Sequence, residues 1–467
     1  MHSLCIHGHF YQPPREDPIS DIIPDETGAE PYPNWNSRIL AECYRPNALA
    51  GNFEKISFNI GPTLFRWLEK KDPDTANRVI QQESQNFTKY GVGNGMAQGY
   101  NHVILPLASH RDKVTQIVWG VADFVYHFGH QPSGFWLPEA AVDIETLSVL
   151  SDCGLEFTIL APWQADAEVV DTAHPYLVDL PGGRKPFTVF FYDRGLSTSV
   201  SFQPASTVNG DDFLERVKQN QNGSKSDVTL VASDGELYGH HQPYRDLFLT
   251  YILNQGAHSN NIDLTYPGLW MRKNPASETV KIHDRTSWSC HHGVARWGDG
   301  CECTPNPAWK AHFRLALNQL AESLDKVYEA YLSQYTDKCW EIRDAYVQVL
   351  GGRTDHETLI SSFVDQKLSK KEYLKISQLL DAQYERQRMF TSCGLYFEDF
   401  HRIEPQNNVA YAAMAVWLTK IATGVSLEEN ALQLFRPVRS QRSGLRAVTV
   451  FSQTWIRAND LIEELMD

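Results

Sequence analysis

Residues 133–150 read SGFWLPEAAVDIETLSVL, and this stretch decides the fold that we expect for the chain. It begins with a short apolar run that stops at Pro138 and Glu139, as in a buried strand, and continues directly into a helical pattern. Helical patterns at 74–89 and 111–128 separate further apolar runs that end in polar or glycine residues: SLCIHGH, KISFNIG, YGVGNGMAQ, EFTILAPW and DVTLVASDGE. Repeated strands and helices predict a parallel sheet with helical crossovers, closed as a barrel.

Two other regions have a different character. In 187–202, FTVFFYDRGLSTSVSF, apolar residues flank an Asp-Arg-Gly turn, which predicts a hairpin inserted over the barrel mouth. From about Pro307 onward the chain has long helical patterns, the last of which closes at Gly424. The sequence therefore predicts a barrel domain over 1–303 and a helical domain over 304–467. We expect a surface loop at 219–227.

Composition excludes several classes of partner. The chain has 467 residues, of which 42% are hydrophobic, so it can bury a large core. Its formal net charge is -15, without a basic run that could follow a phosphate backbone, and we expect no nucleic-acid partner. It lacks a run of about 18 apolar residues and begins without the pattern of a secretory signal. We expect a cytoplasmic protein with no membrane partner.

Aromatic and cysteine content adds two expectations. Many of the 12 Trp and 20 Tyr residues lie in turns rich in glycine and proline, which suits a ligand with flat apolar faces such as a sugar, although each one alone is equally consistent with a core position. The eight cysteines are scattered through a chain that has enough core to fold without crosslinks, so we expect reduced thiols.

Polar residues gather where the predicted strands end, which is where the loops of a parallel barrel converge. Four such places stand out in the sequence: HGH at 7–9, NH at 101–102, GFWLPE at 134–139 and DGELYGHH at 234–241. We therefore expect the residues that carry chemistry to come from these four places.

Two carboxylates at these strand ends suggest a reaction. Glu139 follows Trp136, which would exclude water, and Asp234 ends the run VTLVAS. Taken singly, Glu139 is as well explained by the first turn of a helix, and Asp234 by a helix N-cap. Together they suggest glycosidic bond cleavage, in which one carboxylate attacks the anomeric carbon and the other protonates the leaving oxygen. The acid would stay protonated through burial or a like charge nearby, from Glu139 or Glu236.

The four motifs, in this order, resemble those of glycoside hydrolase family 57, which includes α-amylases, amylopullulanases, branching enzymes and 4-α-glucanotransferases. The resemblance covers roughly residues 1–300 by motif. It continues more diffusely into the helical region, where 391–405, TSCGLYFEDFHRIEP, is similar to a segment of poorly characterised members.

The resemblance implies an α/β fold, a distorted (β/α)7 barrel followed by a C-terminal α-helical domain that closes over the cleft. It implies a retaining enzyme that acts on α-glucan or maltooligosaccharides without a cofactor, with Glu139 as nucleophile and Asp234 as general acid/base. The match to the first motif of the family implies that His7 and His9 contact the substrate. Our full set of expected substrate-binding residues is His7, His9, His102, Trp136, Glu236, His240, Trp288 and Trp297.

This chain departs from the commoner pattern of the family at two places. Two aromatic residues separate His9 from the Gln-Pro pair that usually follows the second histidine. The second region lacks the acidic residue frequent in characterised amylases and has Asn94, Gln98 and Asn101 instead. We therefore expect that substrate preference differs from that of the amylases.

A fifth segment, 287–303, reads SWSCHHGVARWGDGCEC. Its two tryptophans could stack on sugar rings, and Arg296 or Asp299 could bind hydroxyls. Three cysteines, Cys290, Cys301 and Cys303, together with His291 or His292, could instead form a zinc site. The spacing is not that of a standard ribbon or finger, so buried thiols near a cleft are the favoured interpretation, and no metal site is predicted.

Two other functional classes remain open at the level of sequence. A metal-dependent deacetylase on a similar barrel would use ligands from five strand-end residues: His7, His9, Asp234, His240 and His241. A non-catalytic glucan-binding protein would need only the barrel and its aromatic residues. Within the favoured class, hydrolysis, transfer and branching differ in what intercepts the glycosyl-enzyme, which the sequence leaves undecided.

Overall fold

The computed structural model describes residues 2–219 and 227–466, and the side chains of 461–466 are not considered. Most of the predicted 219–227 loop therefore lies outside the described residues. The strands are β1 (His2–Phe10), β2 (Ser57–Ile60), β3 (Ala97–Gln98), β4 (Phe135–Trp136), β5 (Phe157–Leu160), β6 (Tyr176–Val178), β7 (Phe187–Phe191), β8 (Val228–Asp234), β9 (Ile262–Leu264) and β10 (Glu278–Thr279).

Within the described residues, seven of these strands form a closed ring. β1 pairs in parallel with β2 and β8, β3 with β4, and β5 with β7. Parallel bridges Phe58–Gly95 and Gly134–Phe157 join β2 to the segment before β3 and β5 to the segment before β4. After β7, the backbone amide of Asp193 donates to the carbonyl of Leu230 in β8 at 2.7 Å. The predicted distorted (β/α)7 barrel, and the α/β class with it, is confirmed.

Three short strands lie outside this ring. β9 pairs in parallel with the first residues of β1. β6 runs antiparallel to β7, and β10 pairs with β6 on its far side. Two of them, β9 and β6, therefore add pairings to the ring strands β1 and β7 without changing the order of the ring.

The predicted hairpin at 187–202 is wrong. Phe187–Phe191 is strand β7, but the residues after the turn form a helix, Arg194–Phe202. Asp193 is the N-cap of that helix, and its side chain accepts a hydrogen bond from the amide of Leu196 at 2.7 Å. The Asp-Arg-Gly sequence therefore starts a helix by capping it, and the segment is one more strand-helix unit of the barrel.

The core of the barrel consists of side chains that its strands direct inward. Most come from β1, β4, β5, β7 and β8 and from the residues next to these strands, while Met96 directly precedes β3 and Trp270 comes from the helix Pro267–Lys273. The buried members of this cluster are Cys5, Met96, Trp136, Phe157, Ile159, Ala161, Phe190, Tyr192, Val228, Leu230, Ala232 and Trp270. The barrel interior is therefore packed, and groups that bind ligand must stand at the ends of the strands.

The helices confirm the patterns seen in the sequence, including those at 74–89 and 111–128. Up to residue 273 they are α1 (Trp35–Ile39), α2 (Arg45–Leu49), α3 (Pro62–Lys71), α4 (Pro73–Tyr90), α5 (His110–Phe128), α6 (Ile144–Asp152), α7 (Arg194–Phe202), α8 (Gly210–Gln219), α9 (Arg245–Tyr251), α10 (Ala257–Ser259) and α11 (Pro267–Lys273). Beyond it they are α12 (Ala308–Leu332), α13 (Cys339–Ala345), α14 (Val347–Leu350), α15 (His356–Ser361), α16 (Lys370–Arg388), α17 (Cys393–Tyr396), α18 (Ile403–Thr423), α19 (Glu428–Phe435) and α20 (Ala447–Met466).

The chain divides into two compact units. The first contains 1–12, 25–100 and 123–291, and the second contains 13–24, 101–122 and 292–467. The prediction placed one boundary after residue 303. The structure differs because two short segments from the N-terminal part belong to the helical unit, which also begins earlier, at His292.

Helix α18 forms the centre of the second unit, where it packs against α16 and α20 and ends at Gly424, which has a φ of 81°. A buried ionic cluster lies in the same unit. Asp112 forms ion pairs with Arg343 at 3.3 Å and with Arg386 at 2.8 Å, and both arginines are almost fully buried. These two charges hold the pKa of Asp112 well below its usual range even though burial opposes the shift. None of the described helices is long and apolar enough to cross a bilayer.

Candidate active site

The register of the barrel brings three polar residues to one level. In the parallel pairing of β1 with its two neighbours, His9 lies opposite Asn59 of β2 and opposite Asp234 of β8. All three are at or near the carboxyl ends of their strands. The strand-end positions selected from the sequence therefore meet at one mouth of the barrel.

Two buried histidines form the floor of this mouth. His7 bonds Ser57 through Nδ1 at 2.9 Å and Asn59 through Nε2 at 3.1 Å, and the Asn59 amide also reaches Nδ1 of His9. The ring of Trp136 stacks on His7 at 4.4 Å and on His9 at 5.3 Å. Burial lowers the pKa of His7 to about 3 and that of His9 to about 4. Both rings are therefore neutral hydrogen-bonding groups at physiological pH.

Glu139 stands on an unusual turn and not in the helix that follows it. Its φ is 59°, in the left-handed region, and Ala140 after it has a φ of 46°. The helix begins only at Ile144, and its N-cap is Asp143, whose side chain accepts from the amide of Thr146. Glu139 is therefore not the first-turn acid of a helix. Backbone held in this sparsely populated region is a feature that clusters at functional sites.

Two side chains hold the carboxylate of Glu139. Trp288 donates its indole N–H to Oε2 at 3.2 Å, and Ser289 donates its hydroxyl to the same oxygen at 2.7 Å. The backbone amide of Trp288 also donates to the carbonyl of Glu139 at 3.0 Å. Hydrogen bonds of this kind fix the orientation of a carboxylate and favour its ionised form.

Asp234 ends β8, and its side chain caps no helix. The carboxyl group reaches solvent, but the surrounding protein removes much of its hydration. This burial, together with the negative charges of Glu236 and Glu139, raises the pKa of Asp234 to about 8. At neutral pH Asp234 is therefore mostly protonated and can donate a proton, and Glu139 is close enough for its charge to act on it.

Glu236 differs from the other two carboxylates in being enclosed by donors. It accepts hydrogen bonds at Oε1 from the hydroxyl of Tyr44 at 2.7 Å and from the amide of Tyr11 at 3.1 Å, with Gln12 at 3.5 Å. Burial raises the pKa of Glu236 to about 7, against the effect of these donors. The side chain is buried, so its influence on the site is electrostatic, through Asp234.

The glycine of the GHH turn is required by its backbone. Gly239 has a φ of 139°, and a Cβ at this position would lie 2.2 Å from the carbonyl oxygen of Glu42. The next residue, His240, bonds the carboxylate of the same Glu42 through Nδ1 at 2.6 Å and lies edge-on to Trp35. The turn therefore places a half-buried histidine beside an acid and an indole.

Two residues expected at the substrate lie in the second unit. His102 is buried and bonds Ser392 through Nδ1 at 2.6 Å. Trp297 is completely buried, with its ring 6.1 Å from that of Tyr396. Trp297 and the barrel residue Trp136 both have no exposed surface, so each indole packs as a core residue and offers no face to a sugar in this structure.

Sequence reasoning missed Asn59 and Tyr44. Asn59 joins the two histidines, also bonds Gln98, and sits on a strand that we had selected only for its apolar pattern. Alternation along KISFNIG places it on the same face as the inward Ser57, which is a signal that could have found it. Tyr44 lies between two short helical segments, and nothing in its local sequence marks it as a partner of Glu236.

The arrangement does not favour the metal-dependent alternative. Both ring nitrogens of His7 already bond Ser57 and Asn59, and His240 is engaged by Glu42. Within residues 2–219 and 227–466, the five strand-end residues do not form a group of potential metal ligands. The group of potential ligands that these residues do contain consists of Cys290, His292, Cys301 and Cys303.

Comparison with known proteins gives two family matches. The sequence model of the family described as glycosyl hydrolase family 57 matches residues 21–283, which is more than half of the chain. A model described as a domain of unknown function, DUF3536, matches residues 306–458. The two matches follow each other along the sequence without overlap.

Individual relatives are distant. An alpha-amylase of Pyrococcus horikoshii is 24% identical over 188 residues, which cover 40% of this chain and 28% of that protein. A 4-alpha-glucanotransferase of Thermococcus litoralis is 22% identical over 188 residues, which cover 40% of this chain and 27% of that protein. The chain thus matches less than a third of the length of these curated relatives. The crystal structure of an exo-type maltose-forming amylase from Pyrococcus sp. ST04 superposes with a TM-score of 0.71 at 14% identity, covering 97% of this chain and 88% of that one, a likeness of fold.

Proposed function

Because this chain belongs to glycosyl hydrolase family 57, we propose that it is a retaining glycosidase or transglycosylase that acts on α-glucan. In this proposal Glu139 is the nucleophile and Asp234 is the general acid/base. One observation carries the assignment. Burial and the charges of Glu236 and Glu139 raise the pKa of Asp234 to about 8, so this carboxyl group is mostly protonated at neutral pH and can act as the acid beside a second carboxylate.

In the first step, Asp234 donates its proton to the glycosidic oxygen while a carboxylate oxygen of Glu139 attacks the anomeric carbon. The bond between that carbon and the leaving oxygen breaks, and a glycosyl ester forms on Glu139. The hydrogen bonds from Trp288 and Ser289 hold the attacking carboxylate in place. Orientation of this kind lowers the barrier because the reacting groups do not have to be ordered in the transition state.

In the second step the charges themselves favour the reversal of roles. Once Glu139 is an ester it is no longer charged, and one of the causes that raised the pKa of Asp234 is removed. The pKa of Asp234 is therefore lower in the intermediate than in the free enzyme, so a larger fraction of its carboxyl group is ionised and available to accept a proton. It takes a proton from water, which gives hydrolysis, or from a sugar hydroxyl, which gives transfer, and the acceptor's oxygen attacks the anomeric carbon and releases Glu139.

The substrate class rests on the family and on two of its relatives, an alpha-amylase and a 4-alpha-glucanotransferase. The neutral His9 and the partly exposed Trp288, whose ring centroids are 6.2 Å apart, support it, because a sugar needs both partners for its hydroxyls and an apolar face. Whether water or a sugar is the preferred acceptor is left to the product pattern.

The first experiment incubates the protein with amylose and maltoheptaose and resolves products by chain length, branch content and anomeric configuration. Retained configuration is expected, and shortened, elongated or branched chains separate hydrolysis, transfer and branching. Glu139→Gln and Asp234→Asn should each abolish turnover. Glu156→Gln, at an exposed carboxylate just before β5, is the matched control and should remain active. Full activity of either active-site variant, or tight glucan binding without any product, would overturn the proposal.

Azide rescue tests the two roles separately. With an activated aryl α-glycoside, azide should restore Asp234→Ala by attacking the glycosyl-enzyme, giving an α-glycosyl azide. In Glu139→Ala azide takes the place of the missing nucleophile and attacks the substrate directly, giving the β-anomer. The opposite pairing of anomer and variant would reverse the roles of the two residues.

A further inference from the structure

The loop that follows Ser289 brings together four potential metal ligands that the proposed reaction does not use. Cys290, His292, Cys301 and Cys303 each present one ligand atom, and these atoms all lie within 4.8 Å of one another. The thiol of Cys303 is 3.4 Å from Nδ1 of His292. Two of the cysteines are buried, whereas His292 and Cys303 are exposed. The group therefore closes one side of a compact space and leaves the other side open to entry from solvent.

We propose that these four side chains bind one zinc ion. Three thiolates and an imidazole are a common ligand set for structural zinc. With Zn–S bonds of about 2.3 Å and Zn–N bonds of about 2.0 Å, ligand atoms at the corners of a tetrahedron lie roughly 3.5 to 3.8 Å apart. The 3.4 Å between the Cys303 thiol and Nδ1 of His292 is close to this range, and no two of the four ligand atoms are more than 4.8 Å apart, so modest rotation of side chains would bring the four atoms to the metal. The preference for simple thiols drawn from the spacing is thereby revised.

The backbone of the loop already has the shape that such a site needs. The amide of Ala295 donates to the carbonyl of His292 at 3.2 Å, and the amide of Gly300 donates back to Ala295 at 2.8 Å. Gly300 has a φ of 88°, and a Cβ there would lie 2.5 Å from Pro307. These contacts fold the loop back on itself. Cys301 and Cys303 therefore lie beside His292, although about ten residues of sequence separate them from it. An unusual sequence spacing is thus compatible with an ordinary coordination geometry.

A zinc ion here would also restrain the residues that hold Glu139. Trp288 and Ser289, which donate to its carboxylate, directly precede Cys290 in the chain. Fixing Cys290 to a metal therefore limits the movement of both donors. The metal site itself does not rest on the proposed function, since it can be present whether or not the protein cleaves glucan.

The test begins with the full chain, expressed with added zinc and purified under reducing conditions without chelator. We expect about one zinc per chain by mass spectrometry of the metal. His292→Ala and Cys303→Ser should each lose most of it, and because both residues are exposed the fold, checked by circular dichroism, should survive. Cys153→Ser, at a half-buried thiol just after helix α6, is the matched control and should keep its zinc.

Cobalt replacement gives a spectroscopic readout that does not depend on activity. Cobalt added to protein freed of zinc should produce thiolate charge-transfer bands and tetrahedral ligand-field bands, and both should weaken in Cys303→Ser and persist in Cys153→Ser. Removal of zinc should also increase amide hydrogen exchange over 287–303. Unchanged exchange would overturn the restraint on Trp288 and Ser289.

Three results would overturn the metal site. The first is protein that binds no zinc even when zinc chloride is added to the reduced chain. The second is full zinc content in both His292→Ala and Cys303→Ser. The third is a disulfide between two of the three cysteines, found by mass spectrometry of the protein as isolated, because a disulfide sulfur is no longer a thiolate ligand.

Discussion

Replacing Glu236 with glutamine should move the alkaline limb of the pH–rate profile to lower pH. Asp234 must be protonated to donate to the leaving oxygen, so kcat/KM falls as the pH rises through its pKa, about 8 in the free protein. Glu236→Gln removes a negative charge that helps to raise this pKa. The substitution is nearly isosteric, and the glutamine carbonyl oxygen can still accept from Tyr44 and from the amide of Tyr11.

The size of the shift is bounded by its causes. Burial is the largest contribution to the rise of the pKa of Asp234 from 3.8 to about 8, the charge of Glu236 comes second and that of Glu139 third. Glu236 can therefore account for at most about half of the rise, which is about 2 pH units. We expect the alkaline limb to move down by about 1 to 2 units while the acid limb moves much less.

The assay is kcat/KM against pH, on maltoheptaose or an aryl α-maltooligoside, in buffers of constant ionic strength. Glu156→Gln removes one negative charge from an exposed position just before β5 and controls for the change in net charge. An alkaline limb that stays in place in a folded Glu236→Gln protein, or that moves equally in the control, would refute the electrostatic account of Asp234.

Three further predictions concern individual contacts. Ser289→Ala removes the 2.7 Å hydrogen bond to Glu139, and since a bond to a charged group contributes about 1.5–3 kcal/mol, kcat/KM should fall roughly 10- to 150-fold at an unchanged melting temperature. Asp112→Asn leaves two buried arginines without their shared anion and should lower the free energy of unfolding in urea by about 3–5 kcal/mol. Because the folded-state pKa of Asp112 is depressed, its contribution is complete above its unfolded pKa of about 4 and disappears as the pH falls below it, so the difference between variant and wild type should narrow in acid. Gly239→Ala places a methyl group 2.2 Å from the carbonyl oxygen of Glu42 and should lower the melting temperature, with a cost of about 1–3 kcal/mol.

The periodicity of the sequence was sufficient for the barrel because each strand-helix unit shows its own pattern. Long helices such as α4 and α5 agree with prediction to within a residue, since apolar spacing repeats over several turns. The error at 187–202 arose from one residue. Aspartate is common both in tight turns and at helix N-caps. At Asp193 only the hydrogen bond that its side chain accepts from the amide of Leu196 identifies the N-cap.

The boundary between the two units was beyond sequence reasoning for a different reason. Segments 13–24 and 101–122 belong to the helical unit, although they lie far from the rest of it in the chain. Local composition reports which element a segment forms, whereas membership of a unit depends on contacts between distant segments. The ionic cluster is an example, because Asp112 is separated from its partners Arg343 and Arg386 by a long stretch of chain.

The sequence predicted several residues of the candidate site but few of the contacts between them. Strand-end position selected His7, His9 and Asp234, because the carboxyl ends of parallel strands meet at one mouth. It could not select Tyr44, whose contact with Glu236 joins parts of the chain that are remote in sequence. Sequence reasoning named Cys290, Cys301, Cys303 and either of two histidines as possible zinc ligands but could not foresee that four of these side chains cluster, since a turn that returns on itself makes spacing a poor guide to distance.

The structure distinguishes the two carboxylates in a way that their sequence contexts do not. Each follows an apolar run, and each could have capped a helix. Glu139 receives two hydrogen-bond donors, which favour an anion, whereas Asp234 faces two negative charges, which favour the neutral acid. Exchanging the roles would protonate Glu139 beside two hydrogen-bond donors and would ionise Asp234 in a desolvated position near the charge of Glu236, and both changes are electrostatically unfavourable. The assignment of nucleophile to Glu139 and proton donor to Asp234 therefore has a physical basis beyond the motifs, and it depends on Trp288 and Ser289 as much as on the carboxylates themselves.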